Sequence, residues 1–367
     1  MSTFVDDYRR RKSAAFDLAT NSTARAAVPV DLWGETVTVY ANANLSLYSA
    51  QTCNARCAFC VEELRPASRG TLLQTQKTIE TDDGRYFAAL EEVLTALASF
   101  SPSVSVTGGE PSKDPRLPRV LRTIAAHDAR KRTLTTNASG LLDRREGRRV
   151  IDWIAETGVR NLNISRAHSS HARNAKLMRY TEGLELDALR EVAALARQGN
   201  TRVRLSCVLL RGAVDDLSTV VDYLHFAESI GVDNVIFRQL MRTDPSTVER
   251  NFVVRYSDGH RVALEPLLDE VSADARFTFQ EQIVGYYYYV EVWRYRGIDV
   301  VFEEADLARL EATKRSMPGV VHELVFHPNA RLASTWQPWD GVLGPPPARH
   351  VSRSDRASQP LPRAKST

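Results

Sequence analysis

The chain has 367 residues, 43% of them hydrophobic and 25% charged, with a net charge of +3. Four cysteines are too few for a disulfide scaffold, and no apolar run reaches the ~18 residues a membrane span needs, so an ordinary globular fold of one or two domains is expected, with no membrane partner. After Gly344 the chain carries Arg349, Arg353, Arg356, Arg363 and Lys365 against Asp355, which leaves a nearly neutral body. Such a body lacks the basic stripe of a phosphate-binding surface, so nucleic acid is not an expected partner. The basic run Arg9–Lys12 is followed by mixed polar sequence rather than the apolar stretch of a secretory signal, which points to the cytoplasm.

Residues 1–44 predict a polar helix from Tyr8 to Leu18, and an extended stretch over 36–49, where Val37, Val39, Leu45 and Leu47 alternate with polar neighbours. From 45 to 240 apolar strands alternate with amphipathic helices. The strands fall at 45–49, 104–107, 132–136, 159–165, 203–210 and 234–238, and the helices at 81–99, 116–129, 148–157, 185–198 and 217–230. The pairs Gly158-Val159 and Gly231-Val232 each stop a helix and open a strand. Six strands with helical crossovers predict a parallel α/β sheet; pattern alone leaves an open three-quarter barrel and a doubly wound sheet equally possible. Residues 241–343 read as an α+β extension covering one end of the sheet. They hold a β-prone tyrosine run (Tyr286 to Tyr289), a hairpin through Arg296-Gly297, a helix over 305–315 and a second hairpin around His327-Pro328-Asn329. Residues 344–367, rich in proline and basic residues, read as a disordered tail.

Three of the four cysteines lie within eight residues, as Cys53-Asn-Ala-Arg-Cys57-Ala-Phe-Cys60. This C-x3-C-x2-C loop follows the first strand of the alternation, at the sheet edge where parallel α/β folds bind ligands. Structural zinc wants four ligands, usually in two close pairs, whereas Cys207 lies far away within a strand and reads as a buried, inert thiol. Three thiolates on a cubane iron–sulfur cluster would leave one iron open to a small molecule. Spacing alone leaves a cluster, zinc and unligated thiols as alternatives.

The loop, with Phe59 just before its last cysteine, resembles the signature of the radical S-adenosylmethionine (radical SAM) superfamily. The resemblance implies a partial (β/α)6 barrel and a [4Fe–4S] cluster on Cys53, Cys57 and Cys60. It further implies S-adenosylmethionine chelated at the open iron, and its reductive cleavage to a 5′-deoxyadenosyl radical that abstracts a substrate hydrogen atom. An electron donor such as flavodoxin or ferredoxin follows as a partner. Thr107-Gly108-Gly109-Glu110-Pro111, after the second strand, resembles the family's GGE motif, which contacts the cofactor amino group; a carboxylate there suits an ammonium. Asn137 after the third strand, and Ser165 and Arg166 after the fourth, resemble the polar segments that relatives set against the cofactor, although Ala138 stands where glycine often follows.

Three pocket residues are candidates for handling substrate. His168 and His171 follow the fourth strand and suit positioning or proton transfer; Arg238 ends the sixth strand, beside Gln239. Arg204 and Arg211 flank the fifth strand, where the choice is between the cofactor carboxylate and a surface ion pair. No cysteine follows residue 207, which argues against relatives with auxiliary clusters, including many peptide maturases and the cyclase of molybdenum-cofactor synthesis. Some 44 residues before the first strand are too few for a winged-helix leader-peptide domain. The expected substrate is a small polar metabolite of sugar, nucleoside or amino-acid type. Arginine- and alanine-rich composition, as in high-GC organisms, makes natural-product biosynthesis the expected setting. The alternatives are a maturase of a ribosomal peptide and a non-catalytic metal-binding module.

Overall fold

The computed structural model describes residues 3–17, 21–64, 79–180, 182–243 and 250–344. The alternation forms six adjacent parallel strands: β3 (Asn44–Ser49), β4 (Ser103–Gly108), β5 (Lys131–Thr136), β8 (Asn161–Ser165), β9 (Arg202–Val208) and β10 (Asn234–Arg238). Helices α3 (Asp83–Ala96), α4 (Leu117–Ala125), α5 (Val150–Glu156), α7 (Leu186–Gln198) and α8 (Leu217–Ser229) connect them, and a two-residue hairpin, β6 (Arg144–Arg145) with β7 (Arg148–Arg149), precedes α5. Each strand pairs with the next in sequence. A doubly wound sheet would reverse direction at a switch point, so this order decides for the singly wound partial barrel.

The remaining strands lengthen this sheet at both edges. After α9 (Phe252–His260) and α10 (Leu264–Ala273), the strands β11 (Phe277–Val284), β12 (Tyr288–Tyr295) and β13 (Ile298–Ala305) form an antiparallel meander, and β13 lies parallel to β10. Helix α11 (Leu307–Ser316) and β14 (Val320–Val321) carry the chain to the opposite edge. There β15 (Leu324–Phe326) joins β3 in parallel, followed by β16 (Leu332–Ala333) and β17 (Val342–Gly344). Eight adjacent strands are therefore parallel within a twelve-stranded sheet. The strands after residue 240 thus extend the sheet, while α9 packs beside the cysteine loop, where Tyr256 and Phe59 share one apolar cluster. Six strands leave two edges of unpaired backbone groups, and the C-terminal strands pair with both.

The N-terminal segment binds the two edges together. The extended stretch is broken by a turn at Ala41–Ala43, so β2 (Glu35–Tyr40) pairs back with β1 (Ala27–Leu32), after the short α2 (Ser22–Arg25), and β14 adds to β2. Tyr40 packs against Tyr286, next to β12, and against His322, next to β15; Tyr286 Oη donates to the His322 carbonyl at 3.4 Å. These contacts require the sheet to curl. Helix α1 (Thr3–Phe16) lies on β12 and β13, where Tyr8 donates to the buried Glu304 at 3.2 Å and Arg11 pairs with the buried Glu291 at 2.8 Å. Of the tyrosine run, Tyr286 and Tyr289 are buried and the middle two half-buried. Residues 345–367 of the expected tail lie outside the described residues.

Alternation divides the parallel strands into two faces. Val104, Val106, Leu134, Leu162, Leu205 and Phe237 pack under the helices with the fully buried Cys207, whose thiol pKa burial pushes up. Ser105, Thr133, Asn163, Arg204 and Asn234 take the inner face, which is polar for most of its depth. Phe237 contacts Tyr223 of α8 and Phe302 of β13, each at 5.5 Å between ring centroids, and so joins the six-strand unit to its C-terminal addition. Phe237→Ala is expected to cost about 3–5 kcal/mol in chemical denaturation, as for a deeply buried aromatic ring.

Candidate active site

The cysteine loop leaves the C-terminal end of β3 and is held from three sides. Gly108 and Gly109, at the end of β4, press on its start: Gly108 has φ +112°, and a Cβ on Gly109 would stand 1.8 Å from the Gln51 carbonyl oxygen. Only glycine permits that approach. Across the loop stands α6 (His171–Met178), a helix the sequence pattern did not reveal. Its last carbonyl, on Met178, accepts from Arg56 N at 3.1 Å and from the Cys57 thiol at 3.6 Å. On the third side Asn54 accepts from Asn137 Nδ2 at 2.8 Å and bonds with Ser139, while Asn137 Nδ2 also lies 3.8 Å from Cys53 Sγ. Cys53, Cys57 and Phe59 pack on a small apolar cluster of Ala55, Ala167, Met178 and Tyr180.

Burial pushes the Cys57 thiol up most, and its neighbours Cys60 and Cys53 add to the rise, with Arg179 opposing. Burial also raises Cys53, against the Ala55 N–H and the Asn137 amide. The three thiols thus sense one another's charge, although among the described residues no three metal-ligating side chains are already gathered at binding distance. As donors they fit an iron–sulfur cluster: three soft ligands on one short loop, in an apolar setting, deprotonated as they bind.

Glu110 behaves differently from the expectation. Its carboxylate is 1% exposed and accepts from Ser112 N (2.9 Å), Ser112 Oγ (2.6 Å), Asn137 N (2.7 Å) and Thr136 Oγ1. Burial raises its pKa, and these four donors oppose the rise. The side chain therefore ties the end of β4 to the end of β5, and Thr107 and the two glycines are the part-exposed residues of the motif. The Arg166 guanidinium also turns away from the cysteine loop. It donates to the carbonyls of Leu184 (3.3 Å), just before α7, and Ser169 (3.1 Å), just before α6, and lies 4.9 Å from the Phe226 ring of α8. Burial lowers its pKa, and its Nε is buried without a partner. Ser165, half-buried, alternates with the core residue Ile164 and so faces inward.

His168 Nδ1 accepts from Ser170 N at 2.9 Å, which leaves the ring proton on Nε2. Burial, then Arg173 and Arg166, lower its pKa, so the ring is neutral near pH 7. His171 opens α6, and its Nδ1 is buried without a partner. Arg238 pairs with Glu303 of β13 at 2.8 Å, far along the sheet from the cysteine loop. Among the described residues Arg204 forms no ion pair; it lies on the inner face and donates to Asn234 Oδ1. The positioning residues missed by sequence reasoning are Asn54, Ser139, Met178 and Tyr180. Asn54 lies inside the cysteine motif, whereas the others contribute through a backbone carbonyl or through packing, which leave no sequence signal.

A curled parallel sheet with a three-thiol loop and a glycine turn at its C-terminal edge defines a cofactor-binding α/β enzyme. The sequence profile of the radical SAM superfamily matches residues 47–224, so this part of the chain is a domain of that superfamily. Members of that superfamily use a [4Fe–4S] cluster and S-adenosylmethionine, and the six-strand unit has the partial-barrel fold. The chain is similar to a GTP 3′,8-cyclase of Stenotrophomonas maltophilia (30% identity over 207 residues, 54% of this chain and 55% of the relative). It is also similar to GTP 3′,8-cyclase 1 of Mycobacterium tuberculosis (26% over 195 residues, 52% and 49%). The chain spans about half the length of the curated relatives it matches. Among solved structures it is similar to Streptococcus suis SuiB bound to the precursor peptide SuiA (16% identity, TM-score 0.42, 64% of this chain and 47% of the other). Coproporphyrinogen III oxidase from Escherichia coli is similar at 16% identity and TM-score 0.40 (64% and 52%).

Gly109→Ala is expected to push the cysteine loop off the β4 turn and to lower the iron bound on reconstitution several-fold. Gly297→Ala, where a Cβ meets nothing within 4 Å, should leave it unchanged. His168 gives a second expectation. Its folded pKa is lowered, so the unfolded chain takes up the proton first, and the stability His168 contributes falls as pH drops through about 6.5. His168→Asn should flatten that part of the stability–pH curve, leaving the slope due to His322, whose pKa is lowered in the same sense.

Proposed function

We propose that Cys53, Cys57 and Cys60 hold the [4Fe–4S] cluster, and that the enzyme takes a hydrogen atom from a small polar metabolite of sugar, nucleoside or amino-acid type. The observation that carries this reading is the fit between loop and turn: three thiols on one loop, set directly against the Gly108-Gly109 backbone, above a polar inner face. When bound, the cluster supplies the electron that cleaves S-adenosylmethionine.

The chain's own residues then have separate tasks. The Gly108-Gly109 backbone meets the cofactor amino group, and Glu110 fixes the turn that presents it. Asn137 and Ser165 set polar groups at the cofactor edge, while Arg166 positions the loop that carries Ser165. Phe59, with Met178 and Tyr180, keeps water from the thiols. His171, with its unpartnered Nδ1, is the residue to hold or move a proton at the substrate, and His168 orients the loop. Arg238 and Glu303 line the substrate side of the pocket. An electron donor of flavodoxin or ferredoxin type would reduce the site. Four free cysteines suit a cytoplasmic setting, and among the described residues no helix is long and apolar enough to cross a membrane. Natural-product biosynthesis is the proposed context.

The test is 5′-deoxyadenosine formation by anaerobically reconstituted protein with reductant and S-adenosylmethionine. Wild type should form it, and Cys57→Ala should lose both the brown cluster absorbance and the product, by at least about 100-fold, since a ligand to the cluster is gone. Stoichiometric zinc without iron, and no product, would contradict the reading.

A further inference from the structure

We infer that the surface beside the cysteine loop docks an acidic one-electron carrier protein, on a patch made by Phe252 of α9 and the cations Arg56, Arg173, Lys176, Arg179 and Arg255. This rests on the proposed reading of the site and gives its electron donor a docking surface.

Direct contacts between three segments make these residues neighbours. Arg56 lies in the cysteine motif, and its N–H donates to the Met178 carbonyl at the end of α6 (3.1 Å). The next residue, Arg179, holds its guanidinium 5.5 Å from the ring of Phe252, which opens α9. Arg173, on α6, donates to the Gly212 carbonyl (2.8 Å), and the N–H of the adjacent Arg211 donates to the His260 carbonyl at the end of α9 (3.0 Å). Lys176 follows Arg173 by three positions and so shares its face of α6. Arg255 follows Phe252 by three positions on α9 in the same way. All five cations are exposed, and the Phe252 ring is 50% exposed. Beneath the patch, Phe252 meets Tyr256 (6.2 Å between ring centroids), and Tyr256 shares an apolar cluster with Phe59, the neighbour of Cys60.

The charge on this face is uncompensated. Among the described residues, none of the five cations pairs with a carboxylate, and the carboxylates nearby are engaged elsewhere. Asp258 pairs with Arg261 (3.4 Å), Glu182 pairs with Lys113 (3.2 Å), and Asp215 accepts from Gly212 N (2.6 Å). A nearly neutral body thus gathers unpaired cations next to the loop that must receive an electron. Aromatic residues and arginine are enriched in protein interfaces, so an exposed ring among arginines has an interface's composition. The positive charge selects a negative partner and speeds its encounter. Electron-transfer encounters use small interfaces, which a patch of six side chains suits. The step makes and breaks no bond. One electron leaves the carrier's reduced flavin or iron–sulfur group, which is oxidised, and enters the oxidised cluster, which is reduced.

The test titrates a purified bacterial flavodoxin and, separately, a [2Fe–2S] ferredoxin into the reconstituted full-length protein, by calorimetry at low and at physiological ionic strength. At least one carrier should bind saturably, and more weakly as salt is added. The double variant Lys176→Glu/Arg255→Glu should weaken that binding about 10-fold and flatten its salt dependence. Phe252→Ser should weaken it several-fold and keep the salt dependence. Arg160→Glu, an exposed site just before β8 at the opposite edge of the sheet, should bind as wild type does. 5′-Deoxyadenosine formation is the second readout. With dithionite, a small reductant that needs no docking, the variants should match wild type; with reduced carrier below saturation, the double variant should fall about 10-fold, as its binding does. The inference is overturned if neither carrier binds wild type, or if the double variant and Phe252→Ser both bind as wild type does. Tighter binding of a single-stranded oligonucleotide than of either carrier would overturn it too. Dithionite-driven product in a chain that binds no carrier removes the inference alone, whereas carrier binding at the patch with no product from either reductant keeps the docking surface and removes the radical reading.

Discussion

The backbone of Gly109 lies so close to the Gln51 carbonyl that no side chain fits between them. The rest of the site follows from this contact. It brings the end of β4 against the start of the cysteine loop, so that two strand-end loops act as one surface. Glu110, the next residue, then links that surface to β5 through Thr136 and Asn137, and Asn137 reaches back to Asn54 within the cysteine motif. The circuit closes at α6, where the Met178 carbonyl takes Arg56 and Cys57. A loop that must offer three thiols to one inorganic group needs this restraint, because otherwise the entropy of ordering it would oppose ligation.

The parts legible in the sequence are those that use periodicity or fixed spacing. The six strands appear within a few residues of their expected places, because Val, Leu and Ile recur on one face while Ser, Thr and Asn recur on the other. The cysteine loop and the glycine turn were legible because a thiol or a missing Cβ can be read residue by residue. Arg166 and Glu110 show where such reading stops. Both stand at the expected strand ends, yet one donates to the loop carbonyls of Leu184 and Ser169 and the other accepts from four donors. A position in a motif gives the Cα, but the direction of a long side chain depends on which donors and acceptors the rest of the fold supplies.

The C-terminal region was the least legible. Its hairpins were visible, but their places in the sheet depend on long-range pairing: β13 with β10, and β15 with β3. Local pattern says that a strand exists and not which edge it joins. The outcome matters for function. With both edges paired and bound together through Tyr40, Tyr286 and His322, the polar inner face becomes the wall of a cleft instead of an open surface. Side chains such as Asn163, Arg204 and Arg238 then face one another, where a flat sheet would leave them to solvent.

The central claim is that three protein thiolates leave one iron for S-adenosylmethionine. The most direct measurement is the electron paramagnetic resonance spectrum of the reduced, reconstituted protein with and without S-adenosylmethionine. A signal from a single reduced cluster is expected, and it should change shape when S-adenosylmethionine is added. A cluster signal identical in both samples, or none in protein that carries its metal as zinc, would contradict it.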